Sequence, residues 1–144
     1  MSEVESKPLF DQITIDQMRA NEAMTKVVLS VVRDACRHSK GRYTVESVAD
    51  GLNRGDMVLW GVLYPPARLE ATVVTKAVGD TVEVLIAGPD FESVSPFLER
   101  IASHARSSGA KRITIMGPTW FKNHLDSEWF VREVRYERHL MAAL

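Results

Sequence analysis

The sequence predicts one α/β domain of the α+β kind. Its mixed sheet is an antiparallel meander followed by a parallel βαβ crossover, with two helices ahead of the strands. Three observations predict this. Apolar residues recur at helical spacing in two stretches before Gly55, and three β-branched or apolar runs follow between Met57 and Ala87. A helix with one apolar face then separates the third run from a further strand, and a parallel neighbour requires such a long connection.

Residues 1–12 read as a polar arm and residues 13–144 as the single domain. From Ile15 to His38, the residues Met24, Val27, Val28, Val31, Val32, Ala35 and Cys36 form the stripe of an amphipathic helix that Gly41 stops. Thr44 is the N-cap of a second helix. In it Val45, Val48, Ala49 and Leu52 share a face, and Gly55 takes the left-handed position after the end. Met57–Tyr64, carrying Trp60, and Leu69–Val78 read as a hairpin interrupted by Pro65-Pro66. Gly79-Asp80 turns the chain into the strand Thr81–Ala87.

Ser95-Pro96 opens a helix that buries Phe97, Leu98, Ile101, Ala102 and Ala105 and closes at Gly109. Arg112–Met116 is the parallel strand. Thr119 then caps a short helix carrying Trp120 and Leu125, and Val131–Met141 alternates as one final strand.

Among the 144 residues, 45% are hydrophobic and 26% charged, enough to bury a core. Lys and Arg total 18 against 19 Asp and Glu. The net charge of -1 makes no field that would attract nucleic acid or an anionic membrane. No run of about 18 apolar residues could span a bilayer, and Met1–Lys7 lacks the apolar segment of a secretory signal. The single Cys36 cannot form an internal disulfide and reads as a buried thiol. His38, His104, His124 and His139 have no metal-site spacing, and no serine lies in a G-x-S-x-G elbow. Arg132, Arg135 and Arg138 are interleaved with Glu133 and Glu137, which cancel a basic surface.

The order of elements and the phrase F-V-R-E-V-R-Y-E-R-H-L-M resemble the GCN5-related N-acetyltransferase fold. More narrowly, G-R-Y-T-V-E-S-V-A-D-G-L-N-R-G-D-M-V-L-W-G-V, the later L-I-A-G and M-G-P-T-W-F-K-N-H-L resemble a group of small tailed-phage proteins. That group has the acetyltransferase-like fold and often lies among virion structural genes. The group's G-R-x-G-W is replaced here by Met116-Gly117-Pro118-Thr119-Trp120. The resemblance implies a virion or host-cytoplasmic protein, with other virion proteins or a host protein as partners and an oligomeric place in an assembly.

Working acetyltransferases of this fold carry an Arg/Gln-x-x-Gly-x-Gly/Ala loop whose amides and helix N-terminus hold the pyrophosphate of coenzyme A. In this chain Glu92 stands for the Arg and Ser93-Val94-Ser95 for the glycines, while Asp90 adds like charge and Pro96 has no N–H. Set against that pattern, the resemblance implies a non-catalytic structural, assembly or interaction module without a cofactor. The alternative is an acyl-CoA-dependent N-acyltransferase using acetyl-CoA. Its pantetheine would pair with splayed strands, with Ala87, Ser93, Val94 and Ser95 as cofactor-binding residues and Glu83 as general base. Leu125 stands where many relatives have the Tyr that protonates the departing thiolate, so His124 is the candidate acid. For Glu83 the plainer role is a solvated or Lys-paired strand residue, and for His124 a surface or capping histidine.

Overall fold

The computed structural model describes residues 7–39, 41–65, 68–116, 125, 130–132 and 135–140. Strand β1 (Leu9–Ile13) leads into α1 (Ile15–Ala20) and α2 (Glu22–Ala35), and a 3-10 turn (Cys36–Ser39) precedes α3 (Val45–Arg54). Strands β2 (Met57–Tyr64), β3 (Arg68–Val78) and β4 (Thr81–Gly88) form the meander. Helix α4 (Phe91–Val94) and a 3-10 turn (Ser95–Phe97) lead into α5 (Leu98–Ser107), then β5 (Arg112–Met116), β6 (Phe130–Arg132) and β7 (Arg135–His139). The strands make one sheet in the order β1-β2-β3-β4-β5-β7-β6, with only β4 and β5 parallel.

Alternation along the strands divides the core into two layers. Leu59, Val74 and Ile86 meet Val28, Val32, Ala35, Val48 and Leu52 of α2 and α3. Trp60, Val73, Val84, Ile113 and Ile115 face the other way, against Phe91, Val94, Leu98, Ile101, Ala102 and Ala105. The two ends of α3 behave as their chemistry dictates: Thr44 Oγ1 accepts from Ser47 N–H at 3.1 Å, and Gly55 ends the helix at φ 78°.

Four expectations change. The polar arm is shorter than residues 1–12, because Leu9–Ile13 pairs with β2 and Phe10 is 3% exposed. The single helix from Ile15 divides at Asn21, whose extended backbone ends α1 while its side chain accepts from Met24 N–H at 3.0 Å to start α2. This rotates the stripe, so Val28 and Val32 are buried and Val27 is exposed. Helix begins at Phe91 rather than at Ser95-Pro96. The final strand is two strands: β6 and β7 pair with Arg132 opposite Arg135. The expected short helix with Trp120 lies outside the described residues, apart from Leu125.

Candidate functional site

In β4 the chemistry depends on a break in the strand alternation. Val82 and Val84 face the α5 layer, whereas Leu85 and Ile86 both pack into the α2–α3 layer, and Ala87 returns to the α5 side. The β3 register records the same event: Val74 opposes Ile86, but the next residue, Thr75, opposes Val84. Leu85 is therefore the extra residue of a β-bulge, which bends and twists its strand.

Parallel pairing between β4 and β5 stops at the same place. It covers Thr81–Val84 against Arg112–Ile115, while β4 continues to Gly88 hydrogen-bonded to β3 alone among the described residues. A strand edge carries alternating N–H and C=O groups, so Leu85–Gly88, with no second strand partner among the described residues, offers a polar backbone row on that side. At the end of this row, opposite Gly88, fully buried Thr72 has a hydroxyl with no hydrogen-bond partner among the described residues.

Glu83 lies two residues before the bulge, half-buried, on the α2–α3 side. Lys76 of β3 and buried Thr114 of β5 are its cross-strand neighbours, and no ion pair joins it to Lys76. Tyr43 approaches from the turn before α3. Burial pushes its phenol above the ordinary 10.0, Arg42 opposes the shift, and the charge of Glu83 adds to it. The turn is fixed by Ser39, whose hydroxyl donates to Cys36 C=O at 2.7 Å and accepts from Tyr43 N–H at 3.1 Å. Sequence reasoning missed Tyr43, although its place in the G-R-Y-T turn between two helices put a phenol beside the sheet.

The segment after β4 is a short helical turn that uses several of its own backbone donors. The Asp90 carboxylate caps α4 by accepting from Glu92 N–H at 3.1 Å, occupying the end that an anion would use. Ser93 N–H donates to Asp90 C=O at 3.1 Å and Ser95 N–H to Phe91 C=O, so two amides of the expected Ser93, Val94 and Ser95 cradle are used within the turn. Val94 and Phe91 are each 0% exposed and pin the turn to the core. Ala87, expected at the cofactor, packs into the α5 layer at 5% exposure.

Solved structures with the same architecture span nearly the whole chain. The GNAT domain of the Streptomyces lividans PAT protein aligns with a TM-score of 0.66 at 18% identity, covering 97% of this chain and 99% of that one. A GNAT family N-acetyltransferase (YhbS) from Escherichia coli in complex with CoA gives 0.70 at 8% identity, covering 98% and 86%. The PaiA N-acetyltransferase from Thermoplasma acidophilum in complex with coenzyme A gives 0.64 at 12% identity, covering 92% and 99%. The fold is that of the GCN5-related N-acetyltransferases. No family model and no curated protein matches the sequence.

Within this acetyltransferase fold, the candidates inferred from sequence separate. Glu83 stands at the bulge, whereas His124 lies outside the described residues. Leu125 is half-buried against the α5 layer and can donate no proton. Cys36 is buried, and burial followed by the charge of Glu46 pushes its thiol above the ordinary 9.0, so it is no nucleophile at neutral pH. His104 packs edge-on to Trp60 with centroids 5.2 Å apart. It lines a shallow polar pocket of about 250 Å³ with Gln12, Arg100, Ser103 and Ser107, away from the α2–α3 face that carries Glu83.

Proposed function

We propose that the protein is an N-acyltransferase, taking its acyl group from a thioester of the acyl-coenzyme A type and passing it to an amine. The observation that carries this reading is the β-bulge at Leu85 where β4 and β5 stop pairing, with Glu83 two residues before it. A pantetheine arm contains two amides, so an extended arm can pair with the Leu85–Gly88 edge as an added strand would. The neighbours solved with coenzyme A support the same reading.

In the reaction, the amine nitrogen attacks the thioester carbonyl, the N–C bond forms, the C–S bond breaks, and the thiolate leaves. Glu83, directly or through a water, takes the proton that the amine nitrogen loses. Tyr43, whose raised pKa keeps its phenol protonated at neutral pH, supplies an O–H donor on the same face. The amine then lies on the α2–α3 side, bounded by the Ser39–Tyr43 turn.

The experiment is thiol release from acyl thioesters in the presence of a panel of amines. Amine-dependent release is expected, and Glu83→Gln should lower kcat by about 100-fold or more, the scale of a lost general base. No release with any pair overturns the reading; full activity in Glu83→Gln removes Glu83 from its role.

A second reading draws on the acidic turn around Asp90 and Glu92: a non-catalytic structural or assembly module of a phage particle, as the tailed-phage resemblance implies. Its partners would be other virion proteins or a host protein, in the virion or host cytoplasm. It predicts no thiol release and a stable complex with such a partner.

A further inference from the structure

We infer that the donor is recognised through its pantetheine thioester alone, with no grip on a nucleotide diphosphate beyond it. The inference rests on the acyl-transfer reading and narrows its substrate class. Three observations at the end of β4 carry it. Three backbone donors there are committed, Glu92 N–H to the Asp90 carboxylate, Ser93 N–H to Asp90 C=O and Ser95 N–H to Phe91 C=O, while Pro96 has none. The charge also has the wrong sign, because residues 89–98 contain Asp90 and Glu92 but no Lys or Arg. Finally, Phe91 and Val94 are fully buried, so the turn cannot swing its amides outward without leaving the core.

The Leu85–Gly88 edge is neutral and built of amides, which matches the two amides of pantetheine rather than a polyanion. In such a site the diphosphate of coenzyme A adds repulsion instead of binding. A donor ending at pantetheine, or at its single phosphate, keeps every contact that the edge offers. Acyl transfer from it releases pantetheine thiol in place of coenzyme A, with the acyl carbon bonded to the amine nitrogen.

The test compares acetyl-CoA, acetyl-phosphopantetheine and acetyl-pantetheine as donors to one accepted amine. We expect kcat/KM values within about tenfold of one another, and a rise for acetyl-CoA at about 0.5 M salt as screening relieves the repulsion. An advantage of about 100-fold or more for acetyl-CoA, falling with salt, would overturn the inference while leaving acyl transfer intact. No turnover of any donor with any amine overturns both. As a second probe, Asp90→Asn with Glu92→Arg keeps a capping side chain and reverses the charge. The acetyl-CoA to acetyl-pantetheine ratio of kcat/KM should rise by about tenfold; an unchanged ratio would contradict the electrostatic argument.

Discussion

Replacing Phe91 with alanine tests whether the turn after β4 is a fixed part of the core. Phe91 is 0% exposed and is the largest of the fully buried side chains, set among Val73, Val94 and Ile101 in the α5 layer. Truncating a buried Phe loses its transfer free energy and leaves a cavity, together about 3–5 kcal/mol. For a chain of this size each kcal/mol lowers Tm by about 2–4 °C, so Phe91→Ala should melt about 6–20 °C below the parent. Half-buried Phe97, in the following 3-10 turn, provides the comparison and should cost clearly less. Differential scanning calorimetry of the purified variants reads both shifts. A fall of under about 2 °C for Phe91→Ala would mean that α4 is only loosely attached. The amides of Glu92, Ser93 and Ser95 would then be able to reorganise around a phosphate, and the case against a diphosphate grip would fail.

Further predictions concern the sheet and its ionisable groups. A Cβ at Gly61 would lie 2.6 Å from Ile13 Cδ1 and 3.0 Å from Leu69 Cδ1, both ends of side chains that must shift, so Gly61→Ala should destabilise by about 1 kcal/mol in urea melts. If β1 were not packed against β2, the midpoint would not move. Thr72→Val removes the buried hydroxyl that lacks a partner among the described residues while keeping its shape, and should stabilise by about 1 kcal/mol in the same assay; a loss of stability would reveal a hydrogen bond to that oxygen. Cys36 and Tyr43 have folded pKa values raised above the ordinary 9.0 and 10.0. Their contributions to stability are therefore complete below pH 9 and are lost as pH rises through the folded values. Cys36→Ala should flatten the decline above pH 9; an unchanged slope would assign the decline elsewhere.

Much of the fold was legible because local chemistry and tertiary packing agree. Thr44 and Gly55 delimit α3, Gly79-Asp80 turns β3 into β4, and the periodicity of Leu98, Ile101, Ala102 and Ala105 marks α5. The departures arise where non-local terms decide. β1 contains Asp11 and Gln12 and acquires its identity from pairing with β2, a contact some fifty residues away in the chain. Asn21 is a moderate helix residue by propensity, and only its extended backbone reveals that it serves as a cap twice.

The site was legible in part for the same reasons. Glu83 was identifiable from its place in a strand, and the acidic turn from Asp90 and Glu92. The bulge was not, because T-V-E-V-L-I-A alternates well enough to read as a regular strand. Only pairing with β3 shows that Leu85 and Ile86 share a face. Tyr43 stayed hidden because its relation to Glu83 depends on how the turn before α3 lies across β4.

The central claim is that a thioester arm binds along the Leu85–Gly88 edge of β4, and amide hydrogen exchange with a non-hydrolysable acyl-pantetheine tests it most directly. The account predicts added protection for amides within Leu85–Gly88 and no change across Glu92–Ser95. Protection at Glu92–Ser95 that appears only with coenzyme A, or none anywhere in β4, would contradict it.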